Sequence, residues 1–130
     1  MKKSFVYLCF IVFAFVSVDI EAQSIKLPSP EFSTDLLSAL KPGSDSGLAS
    51  DVSSKVETEN KSFVSDVVGI MGSSDDDDAK KSKIASRKKE REGVLGKAFG
   101  NDTALSSYKK QVNSKIKPFK RKYKMASLIF

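Results

Sequence analysis

Four stretches of this chain carry apolar residues at steps of three or four, the spacing of one helical face, and alternation of apolar and polar residues is nowhere sustained. Phe32, Leu36, Leu37 and Leu40 form the first stretch. Ser29 and Pro30 precede it, a capping residue and then the imino acid that suits the first helical position; Lys41-Pro42-Gly43 stops it. Residues 43–47 form a Ser/Gly/Asp loop. A second helix is predicted over 48–71, with Val52, Val56, Phe63, Val67 and Ile70 on one face. Asn60 interrupts that stripe, and Gly72-Ser73-Ser74 ends the helix.

The third predicted helix, over 77–99, has a thin apolar face: Ile84, then Val94, Leu95, Ala98 and Phe99, with Arg87, Lys88, Lys89 and Arg91 between. Gly93 and Gly96 weaken its last turns by roughly 1 kcal/mol each relative to Ala. Four consecutive aspartates, 75–78, stand at its start, where the helix dipole favours acidic groups. After Gly100, either Asn101 or Asp102 can cap a fourth helix with the best periodicity in the chain: Leu105, Tyr108, Val112, Ile116, Phe119, Tyr123 and Ala126. Pro118 predicts a kink or break near Lys117. Residues 125–130 are apolar apart from Ser127, and either pack back on the body or offer a contact surface. Residues 23–28 read as an exposed arm. The expected fold class is all-α, with three or four helices in a small hairpin or bundle with flexible loops, antiparallel because the connections are short.

Ahead of these elements lies a different pattern. Lys2 and Lys3 are followed by an apolar run over 5–18, closed by Asp19 and Glu21, with Ala22 just before Gln23. This is the order of a cleavable secretory leader. The run is 14 residues long, short of the ~20 that span a membrane. Tyr7 and Leu8 before Cys9 are too large for a lipid-attachment signal. The expected organisation is a leader over 1–22, an arm, short helix and Gly/Ser loop over 23–47, and a helical domain over 48–130 with an acidic loop at 73–78. The expected location is outside the cytoplasm, periplasmic or extracellular.

Loss of the leader leaves 108 residues, one small domain, and removes the only cysteine. No disulfide or thiol chemistry remains. The chain has no His and no Trp, so the commonest metal ligand and general base is absent. The aspartate run does not match a calcium loop. Counted from Asp75, Lys80 takes the place of the required Gly and Ser86 that of the required Glu. No cofactor, metal site or enzymatic activity is expected.

Charge is divided along the chain. Residues 23–78 hold eleven acidic side chains against four lysines, net −7; residues 79–130 hold sixteen Lys or Arg against three acids, net +13. Basic stretches at 80–91 and 109–124 could meet an anionic partner. The candidate surface is Lys109, Lys110, Lys115, Lys117, Lys120, Arg121, Lys122 and Lys124. Tyr108, Phe119 and Tyr123 are interleaved with these cations but lie on the apolar stripe, which makes them core residues before stacking platforms. Export also argues against nucleic acid. The expected partners are a protein client or envelope component, or an anionic lipid or lipopolysaccharide surface.

Gly47-Leu48-Ala49-Ser50-Asp51-Val52 leading one helix, the basic helix over 84–100, and Leu105 to Tyr108-Lys109-Lys110 after a capped break together resemble small exported bacterial helical proteins with LTxxQ-type repeats. That resemblance, over 47–122, implies a helical hairpin, often a homodimer, in a family where some members act as envelope-stress chaperones or adaptors. Leu48 is followed by Ala49 and Val52, and Leu105 by Ser106 and Lys109, so the motif's Thr and Gln are missing and no functional residue is carried over.

Overall fold

Pro30 begins the first helix, α1, which spans Pro30–Leu40. Ser29 holds the capping position, but only its carbonyl is used, accepting from Phe32 N at 2.9 Å. Pro42 denies Lys41 the helical conformation, and α1 stops there with Lys41 extended. The computed structural model describes residues 25, 26 and 28–130. Lys2, Lys3, the apolar run over 5–18, Cys9 and the cleavage position after Ala22 lie outside the described residues.

A short 3₁₀ turn at Ser44–Ser46 and Gly47, whose φ of 61° falls in the left-handed region that favours glycine, lead into α2, Ser50–Met71. The aspartate run divides its work at the start of α3, Asp77–Phe99. Asp76 caps the helix by accepting from Ala79 N at 2.8 Å, and Asp77 and Asp78 sit in the first turn. Gly100, at φ 57°, closes α3. Asn101 then caps α4, Asp102–Lys122, accepting from Thr103 N and Ala104 N at 2.8 and 3.3 Å. A second 3₁₀ turn, Lys124–Leu128, ends the chain. All these elements are helical, and no strand occurs among the described residues.

Of the kink or break that Pro118 predicts near Lys117, the break is not found: α4 runs through Pro118 to Lys122, and Tyr123 N donates to Phe119 O at 2.9 Å. Pro118 is exposed, so its ring displaces no core packing. Nor is the segment before α1 simply an exposed arm. Ile25 is buried, its N–H donating to Asp77 Oδ1 at 2.9 Å and its carbonyl accepting from Lys80 Nζ at 3.0 Å. These bonds to the start of α3 seat it in the core.

The most extensive packing joins α2 to α3; α1 packs on both α4 and α2, and α3 on α4. Val56, Phe63, Val67 and Met71 of α2 bury one stripe, meeting a core that includes Ile84 and Leu95 of α3. The seam between α1 and α4 is aromatic. Phe32 lies 5.2 Å from Phe119 and 5.1 Å edge-on from Tyr123, separations at which tilted and T-shaped pairs attract. Of the two fates open to residues 125–130, packing back is the one observed: Ala126 and Ile129 are fully buried.

Candidate anionic-partner surface

All eight cations singled out on the last helix and its following turn are exposed, but they divide into two groups. Lys110, Lys117 and Arg121 follow one another at steps of seven and four, which puts them on one face of α4. The buried residues Tyr108, Val112, Ile116 and Phe119 occupy the opposite face. Lys124 lies beyond the extended Tyr123, at the start of the 3₁₀ turn, and is also exposed. Among the described residues, none of these four side chains has an ion pair or a hydrogen bond.

The other four are engaged within the fold. Lys115 Nζ donates to Lys41 O at 3.0 Å, where α1 ends and its last carbonyls lack helical partners. Lys120 Nζ donates to Phe130 O at 3.1 Å, and Lys109 stands 4.0 Å from Glu92. Lys122 is held most firmly, 2.7 Å from Asp35 and 3.4 Å from Glu31, with its ammonium 5.2 Å from the Tyr123 ring centroid. The bonds from Lys122 and then Tyr123 hold the Asp35 carboxyl below its ordinary value, and Asp35 in turn raises Lys122.

The acidic half of the chain is drawn into similar internal pairs. Arg87 of α3 reaches back to α2, its Nε 2.6 Å from Asp66 and its Nη1 2.8 Å from Glu59. Burial opposes the charge on Arg87, but the two carboxylates outweigh it and the pKa rises. Lys83 pairs with Asp75, and Lys81 with Asp78. Part of the attraction between the halves is thereby met inside the molecule, and the outer face of α4, with Lys110, Lys117 and Arg121, is left positive.

Two polar residues that the sequence marks only as interruptions prove central. Asn60 and Arg91 are both buried, at 2% and 9% exposure. Arg91 Nη2 donates to Asn60 Oδ1 at 2.8 Å and to Tyr108 Oη at 3.1 Å, and its guanidinium lies 5.0 Å from the Phe63 ring centroid. Burial lowers the pKa of Arg91 and raises that of Tyr108. A signal existed in the chain: Arg91 stands seven residues after Ile84 and four before Leu95, on the buried stripe of α3 and not between its apolar residues.

No group of three His, Cys, Asp or Glu side chains that could hold a metal ion occurs among the described residues, and no described helix is long and apolar enough to cross a membrane. Comparison with protein-family models, with curated proteins and with solved structures finds no match for this chain.

Proposed function

We propose that this chain is a small exported helical binding protein that works at an anionic lipid or lipopolysaccharide surface, docking through the outer face of α4. The observation that carries this reading is the division of the cations. Lys110, Lys117 and Arg121 form one exposed stripe without acidic partners among the described residues, and the exposed Lys124 beyond it has none either, while nearby Lys122 is neutralised by Asp35 and Glu31. The leader pattern supplies the route out of the cell. The likeness to LTxxQ-type proteins supports an antiparallel helical body and admits a homodimer. Binding, not catalysis, is the proposed activity.

Charge is favoured over chaperone-like capture of an unfolded client by what the surface lacks. Holding a client calls for a wide apolar patch. Val94, at 43% exposure, is the exposed large apolar residue among those described, and the apolar end of the chain is already seated in the core. The test is co-sedimentation with phosphatidylglycerol vesicles. Each cation near an anionic bilayer contributes about 1 kcal/mol, so reversing three to glutamate (K110E/K117E/R121E) is expected to weaken binding by at least ~100-fold. Raised salt is expected to weaken the unaltered protein. Binding that survives both treatments unchanged overturns the reading; salt-insensitive suppression of client aggregation restores the chaperone reading in its place.

A further inference from the structure

Just past the expected cleavage position, the chain is already locked into the fold. Ile25 is the third residue after Ala22 and is 4% exposed. Both of its backbone polar groups are taken by side chains of α3. Its N–H donates to Asp77 Oδ1 at 2.9 Å, and its carbonyl accepts from Lys80 Nζ at 3.0 Å. A carboxylate and an ammonium thus serve one extended residue as a neighbouring strand would, and the Ile25 side chain joins the core.

Lys80 sets this clamp apart from incidental packing. It is 7% exposed, and among the described residues Nζ has no ion pair and one hydrogen bond, to Ile25 O. A buried ammonium is costly unless it is paired or hydrogen-bonded. Lys80 therefore depends on that carbonyl as much as Ile25 depends on Lys80. Opening the clamp gives up two bonds to charged groups and the burial of Ile25 together.

A peptidase has to draw the scissile bond into its cleft in extended form. Gln23 and Ser24 alone separate that bond from Ile25, and two residues reach at most about 7 Å. With Ile25 seated, the start of α3, where Asp76 and Asp78 are exposed, would stand against the peptidase. Folded segments are cut from locally opened states.

We infer, on the leader reading proposed above, that the clamp formed by Asp77 and Lys80 makes leader removal and the seating of Ile25 mutually exclusive, so that processing has to precede folding. The step it gates is hydrolysis of the Ala22–Gln23 peptide bond, in which water supplies a hydroxyl to the Ala22 carbonyl carbon and a proton to the Gln23 amine. A precursor that folds first keeps its leader until the clamp opens, at a rate set by α3 and not by the leader.

The test is cleavage of the full, folded precursor in detergent micelles by a purified leader peptidase. Asp77→Ala with Lys80→Met removes both partners and leaves the residues around the scissile bond untouched. Two bonds to charged groups are lost, so the double variant is expected to be processed at least ~10-fold faster than the unaltered precursor. Should it lose helicity, Lys80→Met alone, which keeps the apolar stem, is expected to be processed at least ~5-fold faster. Hydrogen exchange at the Ile25 amide reads the clamp directly, with protection expected in the unaltered protein and lost in the variant. Peptide mapping of the chain exported by living cells reads the leader separately, and a terminus at Gln23 is expected for both proteins. If exported chains begin at Gln23 but the variants are cut no faster, or Ile25 is unprotected, the clamp inference is overturned and the leader reading stands. Exported chains that begin elsewhere or stay unprocessed overturn both.

Discussion

Arg91 of α3 donates through Nη2 to Asn60 Oδ1 of α2 at 2.8 Å, closing a buried polar network to which α1, α2, α3 and α4 all contribute. Asn60 Nδ2 donates to Leu40 O at 2.9 Å, and Tyr108 Oη of α4 donates to the same carbonyl at 2.7 Å. Leu40 is the last residue of α1, and its carbonyl is one of those that a helix leaves without an internal partner. Asn60 thus completes the end of one helix while receiving a cation from another. An apolar side chain at this place in the stripe of α2 could do neither. The polar interruption positions α1 against α2, α3 and α4, because only one arrangement satisfies all of these donors and acceptors.

Removing either oxygen-bearing partner is expected to be costly. Asn60→Leu leaves Arg91 with Tyr108 as its remaining acceptor and takes one donor from Leu40 O. The expected loss is about 2–3 kcal/mol, typical of stranding buried polar groups. Tyr108→Phe keeps the ring stacked 5.2 Å from Phe99 and removes only the hydroxyl, so about 1–2 kcal/mol is expected. Urea unfolding of both variants measures this. Losses below ~0.5 kcal/mol for Asn60→Leu would show that the network does not hold the helices in place.

Arg87 gives a second, milder prediction. It bridges Glu59 and Asp66, spaced seven apart on α2, and its own side chain is only 13% exposed. Its planar fork serves two acceptors, which a lysine cannot reproduce. Arg87→Lys is therefore expected to lose about 1 kcal/mol, somewhat above an ordinary surface pair because Arg87 and Glu59 are largely shielded. A double-mutant cycle with Glu59→Gln reports the coupling, and a value indistinguishable from zero counts against the bridge.

Pro118 predicts a gain. An interior helical proline costs ~3 kcal/mol, of which up to ~1 kcal/mol is returned by its stiffening of the unfolded chain. Pro118→Ala is therefore expected to stabilise the protein by about 2 kcal/mol, since the exposed ring packs no core and α4 already continues past it. Gly93→Ala is expected to add about 0.5–1 kcal/mol, because a methyl group there meets open space. Differential scanning calorimetry separates these from the opposite expectation at Gly100, where φ of 57° penalises any side chain.

How far the sequence carries these features depends on whether the cause is local. The starts of α1, α3 and α4 and the ends of α1 and α3 were legible because Pro30, the aspartates, Asn101, Pro42 and Gly100 act on their own neighbours. Ile25 was not legible, because its burial is set by Asp77 and Lys80, some fifty residues away. Local reading at Pro118 left a kink and a break both open, and the structure excludes the break. The missing bond is one among many in a helix held by its buried face, and tertiary packing overrode the propensity. The eight cations of the candidate surface were legible as a group, but not their division. Nothing near Lys122 in the chain announces Asp35, whereas Lys110, Lys117 and Arg121 share a face by spacing alone.

That division also sets an acid dependence. Asp35 accepts from Lys122 Nζ at 2.7 Å and from Tyr123 Oη at 2.8 Å, and these bonds hold its pKa below the ordinary 3.8. A carboxyl whose folded pKa is depressed contributes stability that is present above its unfolded pKa and is lost as pH falls through the folded one. The seam between α1 and α4 is therefore expected to loosen only below about pH 3.8. Asp35→Asn lacks this contribution at every pH. Its Tm is expected to lie below that of the unaltered protein near neutrality, with the difference shrinking as pH drops beneath 3.8. Tyr123→Phe removes one of the two bonds, so the Asp35 carboxyl titrates closer to 3.8, and its acid limb is smaller and complete at a higher pH. On the alkaline side Lys122 works in the opposite sense. Its raised pKa keeps the ammonium charged above the ordinary 10.5, so the pair is expected to survive the pH at which free lysines discharge. Thermal melts across the acid range check the first limb, and a Tm difference between Asp35→Asn and the unaltered protein that stays constant through that range would show that Asp35 is not held by these bonds.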